Sequence, residues 1–265
     1  MAKKNRGKHA NPQTTRASDE SVGLLRFVQE LMKDRQFPEA LRAAQTLIEK
    51  DPLNPLSHAV MGGLLLQMNQ PHEAIRRFEM AVHFGMDRNA EVLRSLAITN
   101  TLSGYPFLGA QTARACLALD LSEEQRALCV TIVTAAENLL PDLIGKHPID
   151  PETAERAAIL VEQTNRALYN EDFDRAKSRA LEATKAAPAW PFVWTNLASL
   201  LFGEGDVAGA IDAVLEGERL ATIPDSATGI LLVRLYSVVG RQAEAESLAN
   251  AMIADPAAHG AEEED

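Results

Sequence analysis

A recurrence of apolar and small residues every 34 or 35 positions is the feature that most constrains how this chain folds. Within each copy the apolar residues follow the spacing of amphipathic helices, and no stretch alternates apolar and polar residues as a half-buried strand does. One equivalent position holds a small residue in six copies: Ala40, Ala74, Gly109, Ala176, Ala210 and Ala245. Two antiparallel helices can approach closely at such a position. Because a single helical hairpin cannot bury its apolar face, the copies must stack.

This pattern resembles the tetratricopeptide repeat family, whose 34-residue unit combines W-x2-L-G-x2-Y, A-x3-F and a closing P. The fifth copy matches best, with Trp194, Leu197 and Ala198 before the turn Gly205-Asp206. The resemblance implies an all-α fold, a right-handed α-solenoid of about six helical hairpins.

The copies form two groups, repeats 1–3 over residues 21–123 and repeats 4–6 over residues 157–258. Residues 124–156 fit the pattern poorly and are interpreted as a linking helix and loop, or a degenerate repeat. Ser122-Glu123-Glu124-Gln125 predicts a capped helix start, Pro141 and residues 145–148 predict its end, and Asp150-Pro151 predicts the next start. The sequence is compatible with one rigid superhelix and with a hinge near 141–150.

Charge is distributed unevenly along the 265 residues, whose net charge is −11. Such an acidic chain is unsuited to general nucleic-acid binding, which needs a basic surface. Residues 1–16 carry five basic and no acidic side chains, and residues 262–265 are all acidic. We expect a disordered basic tail over 1–20 and a disordered acidic tail over 259–265. The alternative is that the basic tail contacts RNA, an acidic protein or an anionic membrane.

Targeting signals are not evident in the sequence. The basic start is followed by polar residues rather than by an apolar stretch of secretory-signal type. Residues 186–203 lack charge, but Pro188 and Pro191 make a helix end and a new helix the better interpretation than a membrane span. Cys116 and Cys129 are too few for a disulfide framework. We therefore expect a cytoplasmic protein with no transmembrane segment.

No catalytic, cofactor-binding or metal-binding motif stands out. The six histidines lack partners at ligand spacing, and His58 occupies a position where the family usually places an aromatic, so we expect it to pack. Cys116 occupies a position that requires a small residue. The glycines of residues 203–209 have the wrong spacing for a dinucleotide loop and are interpreted as a repeat turn. We expect a protein that is not an enzyme and needs no cofactor or metal.

The resemblance also implies a binding surface, because the first helix of each tetratricopeptide repeat lines the concave side where peptides or partner helices dock. The corresponding residues of the first half are Leu25, Gln29, Met32, Leu56, Ala59, Gly63, Leu66, Arg94 and Ile98. Those of the second half are Val161, Asn165, Leu168, Phe192, Thr195, Ser199, Phe202, Ile230 and Arg234. Burial of some of these side chains by superhelix packing is the alternative for each.

One subgroup of the family binds the C-terminal carboxylate of heat-shock chaperones through Lys, Asn and Arg. The matching positions here hold Leu25, Gln29, Val60, Glu91 and Ser95. Glu91 would repel a carboxylate, so this mode of binding is disfavoured.

The function predicted on these grounds is a scaffold or adaptor that binds a protein or peptide through the concave face, by burying a few apolar anchors. Three alternatives stay open: a chaperone-like protein that shields a hydrophobic client segment, a peptide-sensing regulator, and the repeat region of a larger enzyme. The sequence does not indicate the partner or the oligomeric state.

Overall fold

The computed structural model describes residues 12–254, with side chains from residue 20 onward. Within that range the chain forms thirteen α-helices and no β-strand. A π-helical turn, Val82–Met86, follows the fourth helix. The helices are α1 Pro12–Lys33, α2 Phe37–Lys50, α3 Pro55–Gln67, α4 Pro71–Ala81, α5 Ala90–Leu102, α6 Pro106–Leu117, α7 Glu123–Ile144, α8 Pro151–Tyr169, α9 Phe173–Ala186, α10 Pro191–Gly203, α11 Val207–Leu220, α12 Ser226–Val238 and α13 Gln242–Ala254.

Six pairs of consecutive helices form hairpins that share one turn geometry; the pairs are α1–α2, α3–α4, α5–α6, α8–α9, α10–α11 and α12–α13. In every turn one residue has a positive φ, between 56° and 86°, and within each group of three turns these residues recur every 34 or 35 positions: Arg35, Asn69 and Gly104, then Glu171, Gly205 and Gly240. The next amide donates to the carbonyl five residues before it, at 2.9 Å in all six turns. This is the six-to-one bond of a Schellman cap. The predicted all-α fold of stacked hairpins is confirmed, and its right-handed twist stays a prediction.

The chain divides into two compact units, Met1–Val133 (unit 1) and Thr134–Asp265 (unit 2). Each unit contains three hairpins. The division lies within α7, so the segment that the sequence analysis set apart at 124–156 is shared between the two units.

Small residues bring the helices of each hairpin together. In unit 1, Ala40 and Ala74 are fully buried, and a Cβ atom built on Gly62 would lie 2.9 Å from two ring carbons of Phe78. In unit 2, a Cβ atom on Gly217 would lie 2.6 Å from the Cβ of Trp194. These positions tolerate little added volume because protein interiors are close-packed.

Aspartates define where four helices of unit 2 begin. The side chains of Asp150, Asp172 and Asp206 each accept a hydrogen bond from the amide three residues on, at 2.9, 3.2 and 2.8 Å. Asp225 accepts bonds from the amide of Ala227 and the hydroxyl of Thr228. Each carboxylate satisfies amide groups that the first turn of a helix leaves unpaired.

Helix α7 begins at the predicted capping box. The Ser122 amide donates to Gln125 Oε1 at 3.1 Å, and the Gln125 amide donates to Ser122 Oγ at 3.2 Å. Of the two signals predicted to end this helix, residues 145–148 are confirmed and Pro141 is wrong, because α7 continues through Pro141 and ends at Ile144. Proline near a helix end removes one hydrogen bond without breaking the last turn, and the Pro141 carbonyl still accepts from Gly145.

By length and mean hydropathy, 1.5 over its apolar window, α7 is able to cross a membrane. The helix end and new helix predicted within residues 186–203 are confirmed, because α9 ends at Ala186 and α10 begins at Pro191. In the structure α7 carries a stripe of buried side chains at helical spacing: Cys129, Ile132, Ala136 and Leu140. Such a stripe is typical of a packing helix.

Two boundaries of the predicted segments differ in the structure. Helix α1 begins at Pro12, so residues 12–20 lie in a helix where a disordered tail was expected; proline is favoured at a first helical position. The helix start predicted at Asp150-Pro151 is confirmed, because α8 begins at Pro151, but this lies six residues before the predicted start of the fourth repeat. Residues 1–11 and the predicted acidic tail, 259–265, lie outside the described residues.

Candidate functional site

The first helices of the unit 2 hairpins lie side by side. Helix α10 contacts both α8 and α12, so these three helices present a continuous surface that the second helices, α9, α11 and α13, do not share. Stacked repeats commonly use a surface of this kind for binding.

A pocket lies between α10 and α12 on this surface, with a volume of about 270 Å³. Its lining consists of apolar side chains with one hydroxyl and one guanidinium, and we call it the unit 2 groove: Ser199, Phe202, Leu231, Arg234, Leu235 and Val238. Leu235 forms the buried floor, whereas Phe202 and Val238 are 38% and 59% exposed. Exposed apolar groups beside a buried floor can gain contact area when a partner side chain enters.

The groove contains a single charge. Helix α10 has no Asp, Glu, Lys or Arg, and Arg234 is the one such residue of α12. Arg234 is exposed, and among residues 20–254 it has no ion-pair or hydrogen-bond partner through its side chain. The surface is therefore apolar with one unneutralised cation.

Two amides join α8 to α10 beside the groove. Asn196 Nδ2 donates to Asn165 Oδ1 at 3.1 Å, while Asn196 Oδ1 is buried and accepts no hydrogen bond within the described part of the chain. Asn165 itself is exposed, which leaves its own Nδ2 able to donate. A peptide main chain lying across α8 and α10 would find a donor here.

Hydroxyl groups line α10 between these amides and the groove. Thr195 Oγ1 donates to the Phe192 carbonyl at 2.9 Å, and Ser199 Oγ donates to the Thr195 carbonyl at 2.8 Å. Because both hydroxyl protons are used, the two oxygens face a ligand as acceptors.

The first helices of unit 1 offer a different surface. Arg94 is paired with Glu91 at 2.6 Å, and its side chain is only 25% exposed. Met32 reaches across Gly63, with its Cε atom 3.9 Å from where a Cβ on that glycine would lie. Leu56, 42% exposed, is the apolar residue of this predicted set that projects most. The cation is neutralised here, and the Met side chain fills space that the glycine leaves open.

The structure separates the predicted site residues into three groups. Ser199, Phe202 and Arg234 line one pocket, with Asn165 and Thr195 beside it. The prediction that Leu25 and Val161 face a ligand is wrong, since they are 8% and 4% exposed in helices covered by two neighbours each. The remaining residues are half-buried or exposed outside the pocket: Gln29, Met32, Leu56, Ala59, Gly63, Leu66, Arg94, Ile98, Leu168, Phe192 and Ile230.

Sequence reasoning missed three residues of the groove, Leu231, Leu235 and Val238. A signal was present for Val238, which follows Arg234 by four residues and so shares its helix face. Leu231 lies three residues before Arg234 and shares the same face, whereas the position of Leu235 depends on how far α12 is rotated towards α10, which the sequence alone does not specify.

A larger hollow of about 420 Å³ lies where α11 is connected to α12. The charged residues that line it, Glu218 and Asp225, are both acidic, and Asp225 already caps α12. Volume therefore does not single out this hollow as the binding site, because its polar groups do not converge on a ligand.

The histidine and cysteines singled out by sequence have packing roles. His58 is fully buried, and its Nε2 donates to the Pro52 carbonyl at 2.7 Å. Cys116 and Cys129 are both free and fully buried. Burial and a hydrogen bond to Cys129 raise the pKa of the Cys116 thiol to about 11, so it stays protonated and unreactive at neutral pH. No group of three potential metal ligands occurs in the described part of the chain.

Residues 161–225 match the family model described as tetratricopeptide repeat. This stretch of the chain contains the tetratricopeptide repeat. The matched stretch runs from the second half of α8 through α11 and includes Ser199 and Phe202 of the unit 2 groove. Tetratricopeptide repeats are generally non-catalytic.

Solved structures with a similar fold include three that also contain this repeat. The TPR domain of P58(IPK) is 14% identical with a TM-score of 0.43; the match covers 89% of this chain and 61% of that one, so this chain spans less than two thirds of its length. PilF of Pseudomonas aeruginosa is 14% identical, with 89% and 91% covered and a TM-score of 0.36.

The TPR2AB domain of yeast Sti1, in complex with pHSP90, is 16% identical, with 88% and 90% covered and a TM-score of 0.40. Likenesses this low carry no argument about what this chain binds. No curated protein matches the sequence.

Proposed function

We propose that this tetratricopeptide repeat chain is a non-catalytic scaffold or adaptor that holds a peptide or helix of a partner protein in the unit 2 groove. The observation that carries the proposal is the pocket between α10 and α12, which combines exposed apolar walls with an unneutralised cation. Its volume of about 270 Å³ lies below the usual range for small-molecule sites, about 300–1,000 Å³, and suits one or two side chains of a peptide.

Polar groups beside the groove can form hydrogen bonds with the main chain of the partner peptide. Asn165 supplies a donor, and Thr195 and Ser199 supply acceptors along α10. Apolar side chains in the pocket would provide most of the affinity, and these polar groups would fix the orientation of the ligand. Chaperone-like shielding, peptide sensing and membership of a larger enzyme stay predictions.

The test begins with a phage library of random 12-residue peptides selected on the immobilised full chain. Each enriched peptide is then synthesised, and its affinity is measured by fluorescence polarisation for wild type, Phe202→Ser and Leu56→Ser. The two variants are matched, because Phe202 and Leu56 are 38% and 42% exposed on first helices of different units.

We expect Phe202→Ser to weaken binding about tenfold or more, as removal of a central apolar anchor does, and Leu56→Ser to change it less than about twofold. Circular dichroism establishes that both variants remain helical. Failure to select any peptide, or peptides that bind Phe202→Ser as tightly as wild type, would overturn the proposal.

A further inference from the structure

The charge pattern around the unit 2 groove narrows the kind of partner it fits. Helices α10 and α12 together carry one charged residue, Arg234, although charged residues make up 24% of the whole chain. Natural helices usually place several charges on an exposed face for solubility. This surface is therefore unusual in keeping a single cation beside an apolar pocket.

Arg234 is not needed for an internal ion pair. Five other arginines pair with a glutamate three residues away, among them Arg94 with Glu91 and Arg219 with Glu216. Position 231, three residues before Arg234, is Leu, and position 237, three residues after it, is Ser, so α12 offers no such partner. Its side chain lines the pocket instead.

A guanidinium in this setting favours a carboxylate ligand. Apolar neighbours displace water when the pocket fills, which lowers the local dielectric constant and strengthens a charge-assisted hydrogen bond. The planar guanidinium can also bind both oxygens of a carboxylate at once.

We propose that the unit 2 groove recognises a peptide segment in which Asp or Glu lies close to a large apolar residue. The apolar side chain enters the pocket between Phe202 and Val238 above the floor formed by Leu235, and the carboxylate pairs with Arg234. This inference rests on the proposed function and specifies the ligand of the same groove. A single arginine on one helix is also distinct from the chaperone-carboxylate mode, whose matching positions in unit 1 hold Glu91 and Ser95.

The chain's own acidic end is a poorer occupant than a separate partner. Residues 255–265 hold five acidic residues but no apolar side chain larger than that of Pro256. They would satisfy Arg234 and leave the pocket empty. A second copy of the chain is disfavoured because its net charge of −11 repels an identical molecule.

The experiment uses the same random peptide library, selected in parallel on wild type, Arg234→Gln, Arg234→Glu and Arg94→Gln. Arg94→Gln is the matched control, since it removes an arginine that is already paired in unit 1. We expect wild type and Arg94→Gln to enrich peptides with Asp or Glu within four residues of an apolar anchor. Arg234→Gln is expected to lose this preference, and Arg234→Glu to replace it with Lys or Arg.

A double-mutant cycle then measures the contact directly. One selected peptide is made with its acidic residue and with the corresponding amide, and both forms are titrated against wild type and Arg234→Gln. We expect the amide form to bind wild type about tenfold more weakly and to bind Arg234→Gln no more weakly than the acidic form does. The salt dependence of peptide affinity is not used to test this contact, because the net charge of −11 affects that dependence whether or not Arg234 contacts the peptide.

The outcomes separate this inference from the proposed function. Peptides that need Phe202 but show no acidic preference would overturn the inference and leave the proposed function standing. Absence of any peptide that needs Phe202 would overturn both. Tighter peptide binding after Glu262, Glu263, Glu264 and Asp265 are changed to neutral residues would show that the chain's own end fills the groove. A dimer that depends on Arg234 in sedimentation would show that a second copy fills it. Either result would overturn the proposal that the occupant is a separate partner.

Discussion

Units 1 and 2 contain the same number of hairpins and the same turn, yet their first helices present different chemistry. In unit 1 Arg94 is neutralised by Glu91, and its side chain is only 25% exposed. In unit 2 Arg234 is unpaired and lines a pocket with Phe202. The comparison teaches that the repeat determines the backbone, while a few side chains on the first helices decide the chemistry that each unit presents.

The largest loss of stability is expected where Gly217 packs against Trp194 in unit 2. Gly217→Val places a branched side chain against Trp194 and is expected to destabilise unit 2 by about 1–3 kcal/mol, as overpacking does. Denaturant unfolding followed by tryptophan fluorescence measures it, because both tryptophans of the chain, Trp190 and Trp194, lie in unit 2. Gly203→Ala serves as control, since nothing lies within 4 Å of its Cβ position. An equal loss in both variants would contradict the packing account.

The shared turn predicts smaller changes in stability. Glycine introduced at its positive-φ position should stabilise a unit, whereas Gly217→Val destabilises one. Arg35 in unit 1 and Glu171 in unit 2 adopt the left-handed conformation at φ of 56° and 57°, which costs a side-chain-bearing residue about 1–2 kcal/mol. Replacement of either by Gly is expected to stabilise its unit by about 0.5–1 kcal/mol, after the greater freedom of glycine in the unfolded chain is included. Gly205→Ala should destabilise unit 2 by a similar amount.

Denaturant unfolding measures these three variants, with fluorescence for unit 2 and circular dichroism for unit 1. If Glu171→Gly and Gly205→Ala shifted stability in the same direction, the turns would not share the constraint that we assign to them.

The buried thiols predict a pH dependence confined to unit 1. The folded pKa of Cys116, about 11, is raised above its ordinary value of 9, so its stabilising contribution is complete below pH 9 and is lost as pH rises through 11. Wild type should therefore lose more stability over this range than Cys116→Ala, when unfolding is followed by circular dichroism. The tryptophan signal of unit 2 should show no such difference, and a pH-independent gap between the two proteins would contradict the assignment.

The smallest change in stability is expected from the titration of Asp150, which caps α8. The amide and side chain of Thr153 hydrogen-bond the Asp150 carboxylate and lower its pKa below the ordinary value of 3.8. This contribution is complete above pH 3.8 and is lost as pH falls through the lower folded pKa. Asp150→Asn keeps an acceptor without titrating, so its stability relative to wild type should improve as pH falls below 3.8. Fluorescence-monitored unfolding across that range measures it, and a constant difference would refute the assignment.

Sequence reasoning predicted the hairpins because their signals are local. Small residues at a fixed spacing, the Ser122–Gln125 capping box and the turn at Gly205-Asp206 each depend on a few neighbouring residues. The groove was predicted in part, since Ser199, Phe202 and Arg234 were identified but Leu231 and Leu235 were not. Leu231 shares a helix face with Arg234 and was predictable, whereas the position of Leu235 depends on the rotation of α12 towards α10, which is a property of packing between hairpins.

The errors have two origins, burial by neighbouring helices and the position of a proline within its helix. Leu25 was expected to face a ligand because its position matches the family pattern, but neighbouring helices cover it in unit 1. Pro141 was expected to end α7, although a proline in the last turn costs only one hydrogen bond. The pairing of Arg94 with Glu91 was predictable from their spacing of three, because residues three apart face each other on a helix.

Photo-crosslinking tests the central claim, that the binding surface lies on unit 2, most directly. The photoreactive residue p-benzoylphenylalanine is introduced in place of Ser199 in one protein and in place of Leu56 in another, and each is irradiated with a fluorescent peptide selected on wild type. We predict that the peptide crosslinks at position 199 and not at position 56, and that an excess of unlabelled peptide prevents the crosslink. Crosslinking at position 56 alone would contradict the account, because it would place the binding surface on unit 1.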